Sequence, residues 1–157
     1  MNGPRPSSST RLRGFTLVEA LVALVVLSIG MLGIAALYVE SLKAGRSAIY
    51  RTQAVNLAAD MADRIRVNPA TDGTVAGAYT GAGADNACTG GVTDCTPADM
   101  AAHDVFLWRQ VIQNLLPNGQ GAIAYDAGPI PDQYTITISW SEVGEADPAV
   151  YQMVVQI

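Results

Sequence analysis

Residues 20–39 contain no charged side chain. A helix of 20 residues rises about 30 Å, the thickness of a bilayer's hydrocarbon core, so this run predicts a membrane-spanning segment. Beyond it the pattern changes. Tyr38, Leu42, Gly45 and Ile49, then Ala54, Leu57, Met61 and Ile65, recur at three- and four-residue steps, while Glu40, Lys43, Arg46, Arg51, Asp60 and Arg64 take other positions. That spacing predicts an amphipathic continuation of the same helix. Its first stop is Asn68, because Pro69 disfavours helical geometry in the residue before it. The helix so predicted, residues 15–67, has 53 residues and a length of roughly 80 Å. The remaining chain is too short to enclose it, so its first half is expected to protrude.

Residues 70–96 are rich in Gly, Ala, Thr and Asp and read as a long surface loop, with at most a short strand near residues 75–79. A second helix is expected from Thr96, with Pro97 in its first position and Asp99 completing a capping pattern. Its apolar stripe is Ala101, Val105, Trp108, Ile112 and Leu115, and Pro117, Asn118 and Gly119 end it. The rest reads as β. Tyr134, Ile136, Ile138 and Trp140 alternate with Thr135, Thr137, Ser139 and Ser141, and Tyr151, Met153, Val155 and Ile157 repeat the alternation. Residues 142–148 form the loop between these two strands, and a further short strand is expected at residues 122–125, before the turn-rich Gly128, Pro129, Ile130 and Pro131. The aromatic residues of these strands fall in register with the apolar face and read as core. A three-stranded antiparallel sheet packed on the amphipathic half of the first helix follows: an α+β fold.

With 157 residues there is room for one small domain and a membrane element. The net charge of −5 conceals an asymmetry. Arg5, Arg11 and Arg13 precede the apolar run, and positive charge on that side predicts a cytoplasmic N-terminus with the rest exported. From residue 69 onward one basic residue, Arg109, stands against ten acidic ones. Such a domain repels phosphates, which argues against nucleic-acid binding. No stretch after residue 69 assembles a nucleophile, base and oxyanion donor, so the sequence does not read as an enzyme and no cofactor is expected. His103, the sole histidine, lies in the second helix off its apolar stripe, with no partner pattern for catalysis or metal binding.

Gly14, Phe15, Thr16, Leu17, Val18 and Glu19, preceded by a short basic stretch and followed by the apolar run, resemble the processing signal of type IV pilins and pseudopilins. Residues 54–69, 88–116 and 115–119 extend the resemblance toward PilV-type minor pilins. The resemblance implies the type IV pilin-like fold: a long N-terminal helix whose C-terminal half packs on a small antiparallel sheet, plus a second short helix. It implies a prepilin leader at residues 1–14, a helix at 15–68 that is transmembrane in its first half, and an exported globular domain at 69–157. It further implies that a prepilin peptidase cuts between Gly14 and Phe15 and methylates the new amine of Phe15. Glu19 is then expected to meet the free N-terminal amine of a neighbouring subunit. A carboxylate in apolar surroundings costs about 2.5–3.5 kcal/mol on insertion scales, less near the membrane edge, and needs such a partner. The alternative for Glu19 is snorkelling to the headgroups beside the leader arginines.

The partners so implied are the peptidase, other minor and major pilins, the inner-membrane assembly platform and a tip adhesin. The location is the bacterial inner membrane before assembly and the cell-surface pilus afterwards, with adhesion and twitching motility as family functions. A type II secretion pseudopilin, acting as a structural piston, is the rival reading, and a DNA-binding competence pilin is the third, opposed by the acidic charge. Cys88 and Cys95 lie beyond the span, where an oxidising periplasm favours a disulfide; six intervening residues do not match a Cys-x-x-Cys site. Gly30 and Gly33 read as points of close packing between helices. The proline that many major pilins carry beyond such glycines has no counterpart here before Pro69 outside the leader.

Overall fold

The structure is a computed structural model, and it describes residues 14–68, 77–90, 94–128 and 131–157. Helix α1 (Leu17–Val67) is followed by a single 3₁₀ turn (Ala78–Thr80), helix α2 (Pro97–Leu115) and strands β1 (Gln120–Asp126), β2 (Gln133–Trp140) and β3 (Ala149–Gln156). The chain divides into two compact units, one up to Leu42 and one of Lys43–Ile157. In the first, every residue from 14 to 42 is exposed and helical from Leu17 onward. This helix is long and apolar enough to cross a membrane.

The second unit is α+β. Its sheet has the order β1-β2-β3 with both pairings antiparallel. The alternation of β2 translates directly into burial: Tyr134, Ile136, Ile138 and Trp140 are buried, and the residues between them are half-exposed. Ala54, Leu57, Ala58, Met61, Ala62 and Ile65 of α1 share one core with these residues and with Val105, Trp108 and Ile112 of α2. Alanines at positions 54, 58 and 62 recur every fourth residue, so a smooth strip of helix lies in the core where larger side chains would hold it away. Trp108 links the layers, its indole N–H donating to the Leu57 carbonyl at 2.9 Å. Gly121 in β1 gives that indole its room: a Cβ there would stand 2.4 Å from Trp108 Cζ3.

Several expectations need correction. The packed face of α1 begins later than the periodicity indicates, since Tyr38, Leu42, Gly45 and Ile49 are exposed while Ala54, Leu57, Met61 and Ile65 are buried. Periodicity locates a face; only the extent of the partner sheet decides where it is covered. On α2, Leu115 is exposed and Leu116 buried, because the helix ends at Leu115 and Leu116 turns to extended backbone, swinging its side chain into the core. No strand occupies the described part of residues 75–79: Gly77 has a left-handed backbone (φ 81°) and opens the 3₁₀ turn. β1 starts at Gln120 and β3 at Ala149, two residues earlier than their apolar alternation begins. Residues 1–13 of the leader, Pro69, residues 75 and 76, and Pro129 with Ile130 lie outside the described residues.

Candidate functional site

Two places carry the residues singled out by sequence. The first is the start of α1. The Thr16 carbonyl accepts from the backbone N–H groups of Glu19 (3.1 Å) and Ala20 (3.2 Å), and its Oγ1 accepts from Glu19 N–H at 3.3 Å. Thr16 therefore caps the helix, and Glu19 sits in the first turn, where the helix dipole favours a carboxylate. The Thr-x-x-Glu spacing carried this signal and was open to reading as a capping pattern. Gly14 and Phe15 precede the cap, outside the helix, with Phe15 76% exposed and open space around Gly14. The Gly14–Phe15 bond thus lies just ahead of the first helical hydrogen bonds. Gly30 and Gly33 are equally open, with no atom within 4 Å of a Cβ placed on either.

The second place is the end of α1, where it meets α2 and the segment joining them. Arg64 binds Asp104 of α2 at 2.7 Å and Asp60, one turn back, at 2.9 Å. Burial opposes the Arg64 charge, but hydrogen bonds to Asp104 and Asp60 outweigh it and raise the pKa. Asn68, just past the helix, donates to Tyr79 Oη and to the Pro97 carbonyl, both at 2.9 Å. Tyr79 donates in turn to the Arg64 carbonyl at 3.2 Å, closing a polar ring at the last turn of α1. Burial chiefly, with the Asp104 charge, pushes the Tyr79 phenol up to about 12.

Cys88 and Cys95 form a disulfide with Cα atoms 5.8 Å apart. The segment before it is laid tightly on α2. A Cβ on Gly83 (φ 80°) would come 2.6 Å from Phe106 N, the Ala84 N–H donates to Ala102 O at 2.9 Å, and Asn86 donates to Asp99 O at 3.0 Å. His103, off the apolar stripe of α2, is buried beneath it. Its Nδ1 lies 3.4 Å from Asp85 Oδ1 and its Nε2 3.4 Å from Thr89 Oγ1. A second covering layer, the loop itself, makes this face of α2 interior. Thr96 caps α2 as its sequence predicts: Thr96 Oγ1 accepts from Asp99 N–H, and the Asp99 carboxylate accepts from the Thr96 N–H and hydroxyl, which holds its pKa down.

Sequence reasoning missed the Arg64–Asp104–Tyr79–Asn68 ring, whose members are brought together only by the tertiary fold. The described residues contain no group of three or more His, Cys, Asp or Glu that could hold a metal ion.

Comparison with known proteins agrees with this architecture. The profile of the Tt1218-like family, described as type IV pilin Tt1218, matches residues 36–106. That of the prokaryotic N-terminal methylation motif matches residues 10–35. No curated protein and no solved structure matches the chain. The two profiles meet end to end along α1, and the second belongs to chains processed by prepilin peptidase. With its long apolar helix, α+β unit and Cys88–Cys95 disulfide, the chain is a type IV pilin-like protein, a structural subunit rather than an enzyme.

Proposed function

We propose that the chain is a minor pilin of the PilV type, cut between Gly14 and Phe15, methylated on the Phe15 amine and used in starting type IV pilus assembly. Residues 1–14 are the leader, 15–68 the helix that anchors the subunit through its first half, and 69–157 the globular part carried outside. The N-terminus faces the cytoplasm before assembly, consistent with Arg5, Arg11 and Arg13 ahead of the span. The observation that carries this reading is the junction at Thr16, where an exposed, non-helical Gly14–Phe15 pair is followed at once by a capped, uninterrupted apolar helix.

Cleavage there creates an amine, and Glu19 supplies the opposite charge for the amine of an adjacent subunit. Leaving either charge unpaired among packed apolar helices costs about 3–5 kcal/mol, enough to select correctly processed and correctly staggered subunits. Gly30 and Gly33 let a neighbouring helix approach closely. Other minor and major pilins, the assembly platform and a tip adhesin are the partners of this role, and adhesion and twitching motility its outcomes.

The test is competition between parent and Glu19→Gln chains co-expressed in one cell, scored by their ratio in sheared surface fibres. The variant should be under-represented by about tenfold or more. Equal incorporation would remove the pairing. The pseudopilin reading stays as the second one, because the N-terminal architecture serves both. Deleting the gene separates them: loss of surface fibres supports the minor pilin, loss of protein secretion with fibres intact supports the piston.

A further inference from the structure

The two edges of the sheet are treated differently. Ile157 N–H donates to Asp132 O at 3.1 Å, which fixes the phase of the β2–β3 ladder. Odd-numbered residues of β3 turn their backbone groups toward β2, and Val150, Gln152, Val154 and Gln156 turn theirs outward. The same alternation carried across β2 sends the backbone groups of Gly121, Ile123 and Tyr125 out of β1. Arg109 Nε donates to the Gly121 carbonyl at 3.0 Å, which confirms the phase and shows that this edge is guarded. Gly77, at the start of the 3₁₀ turn, packs beside Tyr125 on the same edge.

β3 has no such cover among the described residues. Its eight residues contain no charge and no proline, the usual means by which a free edge is protected. Val150 and Val154 are each 56% exposed. The neighbouring outward positions Ala122, Ala124, Thr135, Thr137 and Ser139 are uncharged too, in a half of the chain with ten acidic residues.

We infer that the β3 edge receives an extended, uncharged strand donated by a different subunit of the pilus machinery, completing a four-stranded sheet. A row of alternating N–H and C=O groups is complementary to another strand and to nothing else of comparable length. A second copy of this chain is the poorer fit. Antiparallel β3–β3 pairing places a two-fold axis normal to the sheet, so the α1 segments packed on the sheet's inner face would run in opposite directions. Two such helices cannot both lead into one membrane from the same side. A charged donor strand would lose solvation against Val150 and Val154 without gaining a partner.

The inference rests on the pilus reading, and the experiment separates the two. Val154→Pro removes one outward N–H and no bond of the β2–β3 ladder, and proline is tolerated on such an edge. Val154→Thr keeps the donor and the β-branched shape. Both full-length variants and the parent are followed into fibres and membrane complexes, and residue-resolved amide exchange is measured on the parent, isolated in detergent and assembled. The inference predicts at least about tenfold less incorporation of Val154→Pro, with Val154→Thr within about twofold of the parent. It also predicts slowed exchange at Gln152 and Val154 only in the assembly. Equal incorporation of all three chains, or unchanged exchange on assembly, would overturn the inference and leave the minor-pilin reading intact. A parent dimer in detergent with those amides already protected would replace the foreign strand by a second copy. A parent found in no assembly would overturn both.

Discussion

Residues 14–42 and the unit Lys43–Ile157 use the same apolar side chains to opposite ends. In the first, Leu32 is 72% exposed, and every other residue from 14 to 42 is exposed as well. In the second, Leu57, Ile65, Ile112 and Leu116 are buried. Composition does not separate these cases, and pattern does. An apolar run without polar interruption leaves no face for water, so the whole cylinder requires lipid or other helices. A run broken at three- and four-residue steps needs one partner surface, and from Ala54 to Ile65 it finds one within the chain. The difference separates the parts: the first exposes its apolar side chains, and the second buries them.

Deleting the same kind of contact from each part gives the largest expected contrast. Trp108→Ala removes a buried indole and its bond to Leu57 O, and should cost the folded unit about 3–5 kcal/mol by denaturant titration of the full chain in detergent. Leu32→Ala should change the same transition by less than about 0.5 kcal/mol. Comparable losses would mean that the first part contributes to the fold of the second.

Next comes the disulfide. Replacing Cys88 and Cys95 by serine reopens a short loop and should cost roughly 2–3 kcal/mol. Faster amide exchange should appear over residues 84–90 and around His103, which they cover, and none in residues 17–42. A change that spread into the apolar segment would blur the boundary between the two parts.

Most of this division was legible in the sequence. The uncharged run, the period-two alternation of β2 and the Thr96–Asp99 cap are local codes, each satisfied within a few residues. What escaped was set by partners distant along the chain. The late start of the packed face on α1, the exchange of Leu115 for Leu116 and the 3₁₀ turn at Ala78–Thr80 all depend on where the sheet lies. His103 is interior beneath residues 85–89, and Tyr79 joins Arg64 and Asn68 only after α1 and α2 have met. At the candidate site, Gly14, Phe15 and Glu19 were legible as a motif, whereas Thr16 was overlooked as its cap.

Tyr79 gives a smaller effect, seen through pH. The folded Tyr79 phenol, at about 12, lies above its ordinary value near 10, so the native state holds its proton more tightly than the unfolded chain. Its contribution is complete below pH 10 and is lost as pH rises toward 12. Tyr79→Phe should remove that part of the alkaline loss. At neutral pH it should cost about 1–3 kcal/mol, because Asn68 and the Arg64 carbonyl each lose a partner. An unchanged alkaline transition in the variant would exclude Tyr79 as its source.

The smallest effect is Thr96→Ala, about 1 kcal/mol from the α2 cap. The Asp99 half of that cap works in the other direction of pH. Its carboxyl is held below the ordinary range by Thr96, so its contribution is present above about pH 4 and is lost as pH falls through the folded value. In the variant the acid-side loss of protection in the first turn of α2 should shrink. Loss of protection identical to the parent's would show that the cap does not drive it.

The most direct test of the account is the mass of the N-terminal peptide from sheared surface fibres and from the membranes of the same cells. The account predicts a chain beginning at Phe15 with a methylated amine in the fibres. A leader still joined through Gly14 to Phe15 in both fractions would contradict it.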